Sequence, residues 1–373
     1  MTAYLRGMRT DIRSLGKEGL QAAVAELGEP SFRAKQLEEW LWTRAAGSFE
    51  EMSNLPRSFR EALAERFALE RIRLVEKQVS VDRTIKCAFE VAPGRVVEGV
   101  LIPTTERMTA CISSQVGCSL ACALCATGRL KMLQNLSAGE MYDQVERLRA
   151  LAESHYGQGL SNIVYMGMGE PLLNYRNVLE SVERICGTPG LGMSPRRITV
   201  STAGIAKAIV RLGDDRVKFN LALSLHAAND AKRSKIMAIN DSNNLEALGA
   251  ALRHFHACTD TRVTFEYIIF DGFNDGLEDA RELAAFCRNV PCKVNIIEYN
   301  PIEGGEFRMA REDRVADFVA LLEERNLVVN VRRSRGKDID AACGQLVNNN
   351  AWGAQAVRKE PAASAASDDV SPA

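Results

Sequence analysis

The sequence carries almost no net charge, −1 over 373 residues. No global field marks it as a nucleic-acid binder, and any RNA contact has to come from local patches. It contains no run of eighteen or more apolar residues, which argues against a membrane-spanning helix. The opening stretch MTAYLRGMRTDIRSLGKEGL lacks an apolar core followed by a small-residue cleavage site, so export is not expected and the protein is expected in the cytoplasm. In that reducing compartment clustered cysteines point to metal ligation or redox catalysis rather than structural disulfides. The bulk composition, 46% hydrophobic and 25% charged, is that of a globular protein long enough for two domains, or one large barrel with an appendage.

A further shortage is the informative one. CISSQVGCSLACALCATG, residues 111–128, holds four of the ten cysteines, and the last three stand as Cys118-x3-Cys122-x2-Cys125. A tetrahedral zinc site or an ordinary iron–sulfur cluster wants four ligands. Three thiolates on a loop after a first strand can hold three irons of a [4Fe–4S] cube and leave the fourth open to a small chelating ligand. This spacing reads as the radical S-adenosylmethionine signature, in which the methionine amino and carboxylate groups take the open iron. The zinc alternative needs Cys111 as fourth ligand, separated from the triad by six intervening residues, most of them strand-like.

Pattern divides the chain into three segments and a tail. Residues 1–75 read as helical: FRAKQLEEWLWTR places Leu37, Trp40 and Leu41 on one face, and LPRSFREALAERFAL spaces Leu55, Phe59, Leu63 and Phe67 four apart. With 13 basic against 12 acidic side chains over residues 1–77, charge alone supports a packing module as well as an RNA-binding one. Residues 76–103 read as a β-hairpin linker turning at Pro93-Gly94. Residues 104–347 alternate β-rich runs with helical periods, six β-α repeats and a closing strand, which imply a parallel sheet with right-handed crossovers. Residues 348–373 are rich in Ala and Ser and are expected to be disordered. The fold class is therefore α/β. Polar residues at several strand ends favour a full or partial barrel over a doubly wound sheet, because barrel sites assemble there.

Those strand ends carry Gly169-Glu170, Ser201-Thr202, Ser224 with His226, and Asn300. The glycines of YMGMGEP let backbone approach a ligand, and Glu170 can accept from the methionine ammonium group. Ser201, Ser224 and Asn300 suit ribose hydroxyls and a carboxylate. Five cysteines, Cys87, Cys186, Cys258, Cys287 and Cys292, read as small buried hydrophobes. Cys343, in RGKDIDAACGQL among Gly, Ala and charged residues, reads instead as an exposed, reactive thiol.

Together CISSQVGCSLACALCATG, MGMGEPLLNY, ITVSTAGI, LALSLHAAND and DIDAACGQL resemble the RlmN/Cfr family of radical S-adenosylmethionine RNA methyltransferases, from about residue 10 to 347 and closer to the RlmN branch. The resemblance implies a partial (β/α)6 barrel with a helical N-terminal RNA-binding accessory domain. It implies a [4Fe–4S] cluster on Cys118, Cys122 and Cys125, and S-adenosylmethionine contacts from Gly169, Glu170, Ser201, Ser224, Leu225, His226 and Asn300. It puts the methyl-carrying cysteine at Cys343, its transient disulfide partner at Cys111, and the proton acceptor at Glu98 in VVEGVLIP. The implied reaction is methylation of adenine C2 in 23S ribosomal RNA and in transfer RNA, by a monomer served by an electron donor such as flavodoxin or ferredoxin. C8 methylation of an adenine is the alternative. A radical maturase acting on protein, and a plain electron-transfer protein, are more distant readings.

Two departures from the family pattern stand out. Leu124 occupies a position where an aromatic residue usually precedes the third cysteine, and IMAINDSNNLEAL lacks the basic residues that commonly follow its IN dipeptide. Basic residues cluster instead at Arg332, Arg333, Arg335 and Lys337, where they can hold phosphates beside Cys343 or form a solvated face.

Overall fold

A computed structural model describes residues 9–346; the tail expected over 348–373 lies outside the described residues. The N-terminal helices are α1 (Gly16–Glu26), α2 (Phe32–Glu38) and α3 (Arg57–Arg66). Both predicted apolar faces are buried: Leu37 and Leu41 in one, Leu55, Phe59, Leu63 and Phe67 in the other. Each fully buried Leu or Phe is worth about 1.5–3 kcal/mol relative to exposure. After α2 the helix widens into a π turn over Glu39–Thr43, which buries Trp42 as well as Trp40.

The sheet starts earlier than the sequence pattern indicates. Strand β1 (Arg73–Val79) precedes the hairpin of β2 (Ile85–Ala92) and β3 (Arg95–Pro103). RLVEKQV, at the edge of the sheet, buries none of its residues fully, so it shows no apolar alternation to read. The hairpin turns where expected, with Gly94 in the left-handed region at φ +71 and Ala92 opposite Arg95. The ribbon is continuous with the barrel: β3 pairs antiparallel with β4 (Met108–Cys111), placing Val100 opposite Cys111.

A small separate pair, β5 (Gln115–Val116) and β6 (Gln134–Asn135), brackets the cysteine loop. The remaining strands are β7 (Asn162–Tyr165), β8 (Ile198–Thr202), β9 (Asn220–Ser224), β10 (Val263–Ile269), β11 (Cys292–Glu298) and β12 (Val329–Arg332). Among the described residues the main sheet runs β1-β2-β3-β4-β7-β8-β9-β10-β11-β12, parallel from β4 onward. Six helical crossovers join the parallel strands: α4 (Ala138–Tyr156), α5 (Tyr175–Cys186), α6 (Ala206–Asp214), α7 (Asp230–Ile236) with α8 (Leu245–Thr259), α9 (Leu277–Phe286) and α10 (Glu312–Glu323). This is the partial (β/α)6 barrel, its seven strands matching the six repeats and closing strand of the sequence pattern. At its open seam a side chain replaces a ladder: Arg335, just past β12, donates to the carbonyls of Asp82 at 2.8 Å and Pro103 at 3.0 Å.

Local signals explain the helix that follows the cysteine loop. The Ser137 hydroxyl accepts from the Glu140 amide at 3.1 Å while Glu140 accepts from the Ser137 amide at 2.7 Å, and Gly157 ends α4 in the left-handed region. Helix α4 also fastens the N-terminal helices to the barrel. Tyr142 donates to the Trp42 carbonyl, and the two rings meet edge to face at 5.2 Å. Fully buried Asp143 takes Arg13 at 2.8 Å and Arg71 at 2.9 Å. One apolar cluster consequently runs without a break from Ile12 to Leu346.

Removing one partner of a buried ion network leaves the others as uncompensated charges. Asp143→Ala removes the buried carboxylate that Arg13 and Arg71 share and leaves them only their longer pairs, with Asp11 at 3.2 Å and Glu146 at 3.6 Å; it is expected to cost about 3–5 kcal/mol of stability, read from the urea midpoint at constant slope. A loss below about 1 kcal/mol would show that these arginines rehydrate freely.

Candidate active site

A single cavity opens at the C-terminal ends of the parallel strands, and each strand delivers a residue to it. Cys111 comes from β4, Gly169 and Glu170 follow β7, Ser201 lies on β8, Ser224 and His226 end β9, Glu266 lies on β10, Ile297 on β11 and Arg332 on β12. Cys118, Cys122 and Cys125 form one wall and Cys343 another. Ten of the thirteen side chains picked out in the sequence therefore share one cavity.

The two cysteine-bearing loops, more than 200 residues apart in sequence, are clasped by their backbones. The Ala126 amide donates to the Gly344 carbonyl at 2.7 Å, and the Thr127 hydroxyl donates to the Leu346 carbonyl at 2.6 Å. Leu124 packs in a second apolar cluster with Phe270, Tyr299, Ile268 and Ile297. The aromatic character absent at position 124 is thus supplied by neighbouring strands. The glycines after β7 line the cavity and also pack against the protein. Gly169 has φ +94, and a Cβ there would stand 2.5 Å from the Gln115 side chain, while one at Gly167 would stand 2.7 Å from the Ile112 carbonyl. The lack of a Cβ at both positions thus lets the start of the cysteine loop come close.

Desolvation sets the charges. Glu170 is 3% exposed; burial raises its pKa, opposed by hydrogen bonds from the Ala203 amide at 2.7 Å and the Leu172 amide at 3.0 Å. A side-chain hydrogen bond from Thr202 opposes it as well, which leaves one of the carboxylate's four lone-pair positions for a cationic ligand. His226 accepts the Ile268 amide on Nδ1 at 3.0 Å, which puts its proton on Nε2, and burial with nearby Arg233 drives its pKa down to about 3. It is a neutral donor facing the cavity. The Ser201 hydroxyl donates to the Tyr165 carbonyl at 2.8 Å and keeps its acceptor sites.

The thiols fall into two sets. Burial, then the closeness of Cys125 and Cys118, pushes the Cys122 thiol far up. For Cys111 burial comes first and Cys343 second, with Arg332 opposing, and its pKa rises to about 12. Burial also raises Cys343, again opposed by Arg332. Cys343 and Arg332 remain solvent-accessible because the water they meet is that of the cavity. Three thiols clustered on one wall, with Glu170, Ser201 and His226 around the remaining space, fit a three-cysteine [4Fe–4S] cluster and a chelating S-adenosylmethionine. Cys111 groups with Cys343, not as a fourth ligand of the triad.

Three of the expected side chains do not line the cavity. Leu225 is fully buried, and its amide donates to the Glu266 carbonyl at 3.0 Å. Asn300 donates to the Cys343 carbonyl at 3.3 Å, so it shapes the loop that carries the thiol. Glu98 is 2% exposed on β3, on the face it shares with cavity-lining Val100 and Ile102, and stands 3.7 Å from Lys86.

Sequence reasoning missed Glu266 and Arg233. Glu266 accepts from Asn295 at 2.8 Å and pairs with Arg332 at 3.5 Å. Arg233, fully buried, ties the strand ends by donating to Leu225, Ala203 and Ser224 carbonyls and to Asn240. Glu266 is the one charge in the apolar strand VTFEYII, and Arg233 is one of four charges in the short helix DAKRSKI, with no motif to mark either. Of the basic cluster, Arg332, Arg333 and Arg335 line the cavity, Arg332 paired with Glu266 and Arg335 with Asp82 at 3.1 Å, while Lys337 pairs with Glu298 at 2.8 Å.

Comparison with known proteins agrees with this geometry. Residues 10–69 match the family described as "Ribosomal RNA large subunit methyltransferase N-terminal domain", and residues 112–287 match the "Radical SAM superfamily". The chain is 55% identical over 335 residues to the "Probable dual-specificity RNA methyltransferase RlmN" of Cytophaga hutchinsonii, covering 90% of this chain and 92% of that one. It is 49% identical to the protein of the same name from Christiangramia forsetii, covering 93% and 99%. Among solved structures, a radical SAM methyltransferase from Sphaerobacter thermophilus superposes with a TM-score of 0.85 at 39% identity, covering 90% of this chain and 99% of the other.

The depressed pKa of His226 has a measurable sign. Between the ordinary value of 6.5 and about 3, the unfolded chain binds a proton that the folded one refuses, so stability falls as pH falls through that window. The slope contributed by this one group is at most about 1.4 kcal/mol per pH unit. Urea unfolding at pH 7 and pH 5 is expected to show a larger loss for the wild type than for His226→Gln; equal losses would mean that the imidazole protonates in the folded protein.

Proposed function

The chain belongs to the RlmN family of radical S-adenosylmethionine methyltransferases, and on that premise we propose that it methylates C2 of an adenine in 23S ribosomal RNA and in transfer RNA, with the methyl carried on Cys343. The observation that supports this most is the meeting of Cys343, Cys111 and the three-thiol loop in one cavity.

Adenine C2 is an electron-poor amidine carbon and cannot attack a sulfonium methyl as a nitrogen nucleophile does. A cysteine sulfur can. Cys118, Cys122 and Cys125 hold the cluster, and when bound it supplies the electron that turns S-adenosylmethionine into a source of radical chemistry as well as of methyl groups. Glu170 takes the methionine ammonium group, while Ser201, Ser224 and the Nε2–H of His226 address its carboxylate and ribose.

Cys343 accepts the methyl, and Arg332 offsets the desolvation that otherwise disfavours its thiolate. After the carbon on Cys343 has joined adenine C2, Glu98 takes the C2 proton. Cys111 then attacks the Cys343 sulfur. An S–S bond forms, the S–CH2 bond breaks, and its electron pair goes to the methylene carbon, which takes a proton and leaves as the new methyl group. The elevated pKa of Cys111 means that its proton must be removed as it reacts.

The target base has to leave its stack to reach the strand ends, so the substrate is a loop or a partly unfolded RNA. The helices of residues 10–69 act as the RNA-binding accessory unit. A one-electron protein donor such as flavodoxin or ferredoxin serves the enzyme, which works as a monomer in the cytoplasm.

Cys343→Ala is expected to abolish methylation and leave the cluster's visible absorbance intact, whereas Cys118→Ala, reconstituted with iron and sulfide, is expected to lose that absorbance. Methylation by Cys343→Ala would overturn the carrier assignment. Mass spectrometry of adenosines from a strain lacking the protein is expected to show 2-methyladenosine missing from both RNA classes; loss of 8-methyladenosine instead would overturn the C2 reading.

A further inference from the structure

Lys86 is 8% exposed, and a lysine rarely enters such a place without partners, because burying an ammonium is costly. It lies on β2 directly opposite Val100, which on its other side lies opposite Cys111. Directly paired residues of antiparallel strands share a face, so Lys86, cavity-lining Val100 and Cys111 stand in one row across three strands. One diagonal step along β3, Nζ of Lys86 stands 3.7 Å from the Glu98 carboxylate. It also stands 3.5 Å from the carbonyl of Asp340, three residues before Cys343.

We propose that Lys86 is a positioning residue for methyl transfer, holding the Glu98 carboxylate and the Cys343 loop in one fixed relation from the shared face of β2 and β3. The inference rests on the reading of Glu98 as proton acceptor and Cys343 as methyl carrier. Both contacts are long in the free protein, as hydrogen bonds that tighten only with substrate commonly are.

The ammonium suits this task in two ways. It sets a positive charge beside a buried carboxylate, 3.7 Å from it. It also carries several donors on one flexible stem, enough to address the carboxylate and the carbonyl together. The other ties from the β1–β2 turn lie farther from the thiol: Asp338 accepts from Ser80 and the Val81 amide, and the Gly336 amide donates to Asp82 at 2.9 Å. Lys86 is the tie nearest to the thiol in this group, and it links the thiol's loop directly to the acid.

In the covalent stage the methylene joins the Cys343 sulfur to adenine C2, one methyl hydrogen atom having gone to the 5′-deoxyadenosyl group and one electron having left the adduct for the cluster that Cys118, Cys122 and Cys125 would hold. The C2–H bond then breaks, its electron pair stays in the ring, and the proton passes to Glu98 before Cys111 attacks. A misplaced Glu98 therefore leaves RNA attached to Cys343. For Lys86→Met holoenzyme the expected result is normal methyl loading of Cys343 by intact-protein mass, turnover lowered about 10- to 100-fold, as for loss of a hydrogen bond to a charged group, and a Cys343–RNA adduct on denaturing gels. Lys86→Arg is expected to recover most of the turnover.

Turnover by Lys86→Met within about twofold of wild type and without adduct, while Glu98→Gln traps the adduct, overturns the role of Lys86 alone. If Glu98→Gln neither slows turnover nor traps RNA, the Glu98 reading itself fails. Loss of methyl loading in Lys86→Met that Arg does not restore assigns Lys86 to loop folding and overturns the proposal.

Discussion

The active cavity depends on a clasp of two hydrogen bonds between loops far apart in the chain. Ala126 and Thr127, just past the third cysteine of the triad, hold the Gly344 and Leu346 carbonyls, and Cys343 sits directly before the glycine. Backbone geometry at this junction leaves little choice of residue. Gly344 has φ +82 and would bring a Cβ to 3.1 Å from the Leu124 carbonyl, so only a glycine lets the loops meet as they do.

Around the clasp, the same desolvation that makes the cavity useful raises the cost of every polar group in it. The response is pairing. Glu170 is held by backbone amides, Glu266 by Asn295 and Arg332, and Arg233 by three carbonyls and Asn240. Each of these ties also joins neighbouring strand ends, so electrostatic satisfaction and rigidity of the site come from the same bonds. Arg332 has a wider reach: it pairs with Glu266 and lowers the thiol pKa of both Cys343 and Cys111.

Much of this was legible in sequence where a single periodicity governs. The seven parallel strands, the Pro93-Gly94 turn and the buried faces around Leu37 and Leu63 follow from local alternation and spacing. Strand β1 escaped notice because an edge strand with neither face buried carries no such signal. The triad of Cys118, Cys122 and Cys125 was readable because its ligands are close in sequence. Glu266, Arg233 and Lys86 were not, since each acquires its meaning from partners on other strands. Asn300 had the right residue type at a strand end, yet its amide turns to the Cys343 carbonyl instead of the open space.

By itself the sequence determined the order of the barrel's strands and helices, the three-cysteine loop and the presence of Cys111 and Cys343 outside it, because these are properties of residue type and spacing along the chain. The tertiary structure alone decided that Cys111 faces Cys343 and that the glycines of GMGE admit the protein's own loop. It alone decided that three of the four basic residues before Cys343 are spent on ion pairs, with Glu266, Asp82 and Glu298. Such pairings arise only when strands distant in sequence lie side by side, where burial and neighbouring charge act through space and leave no periodic trace.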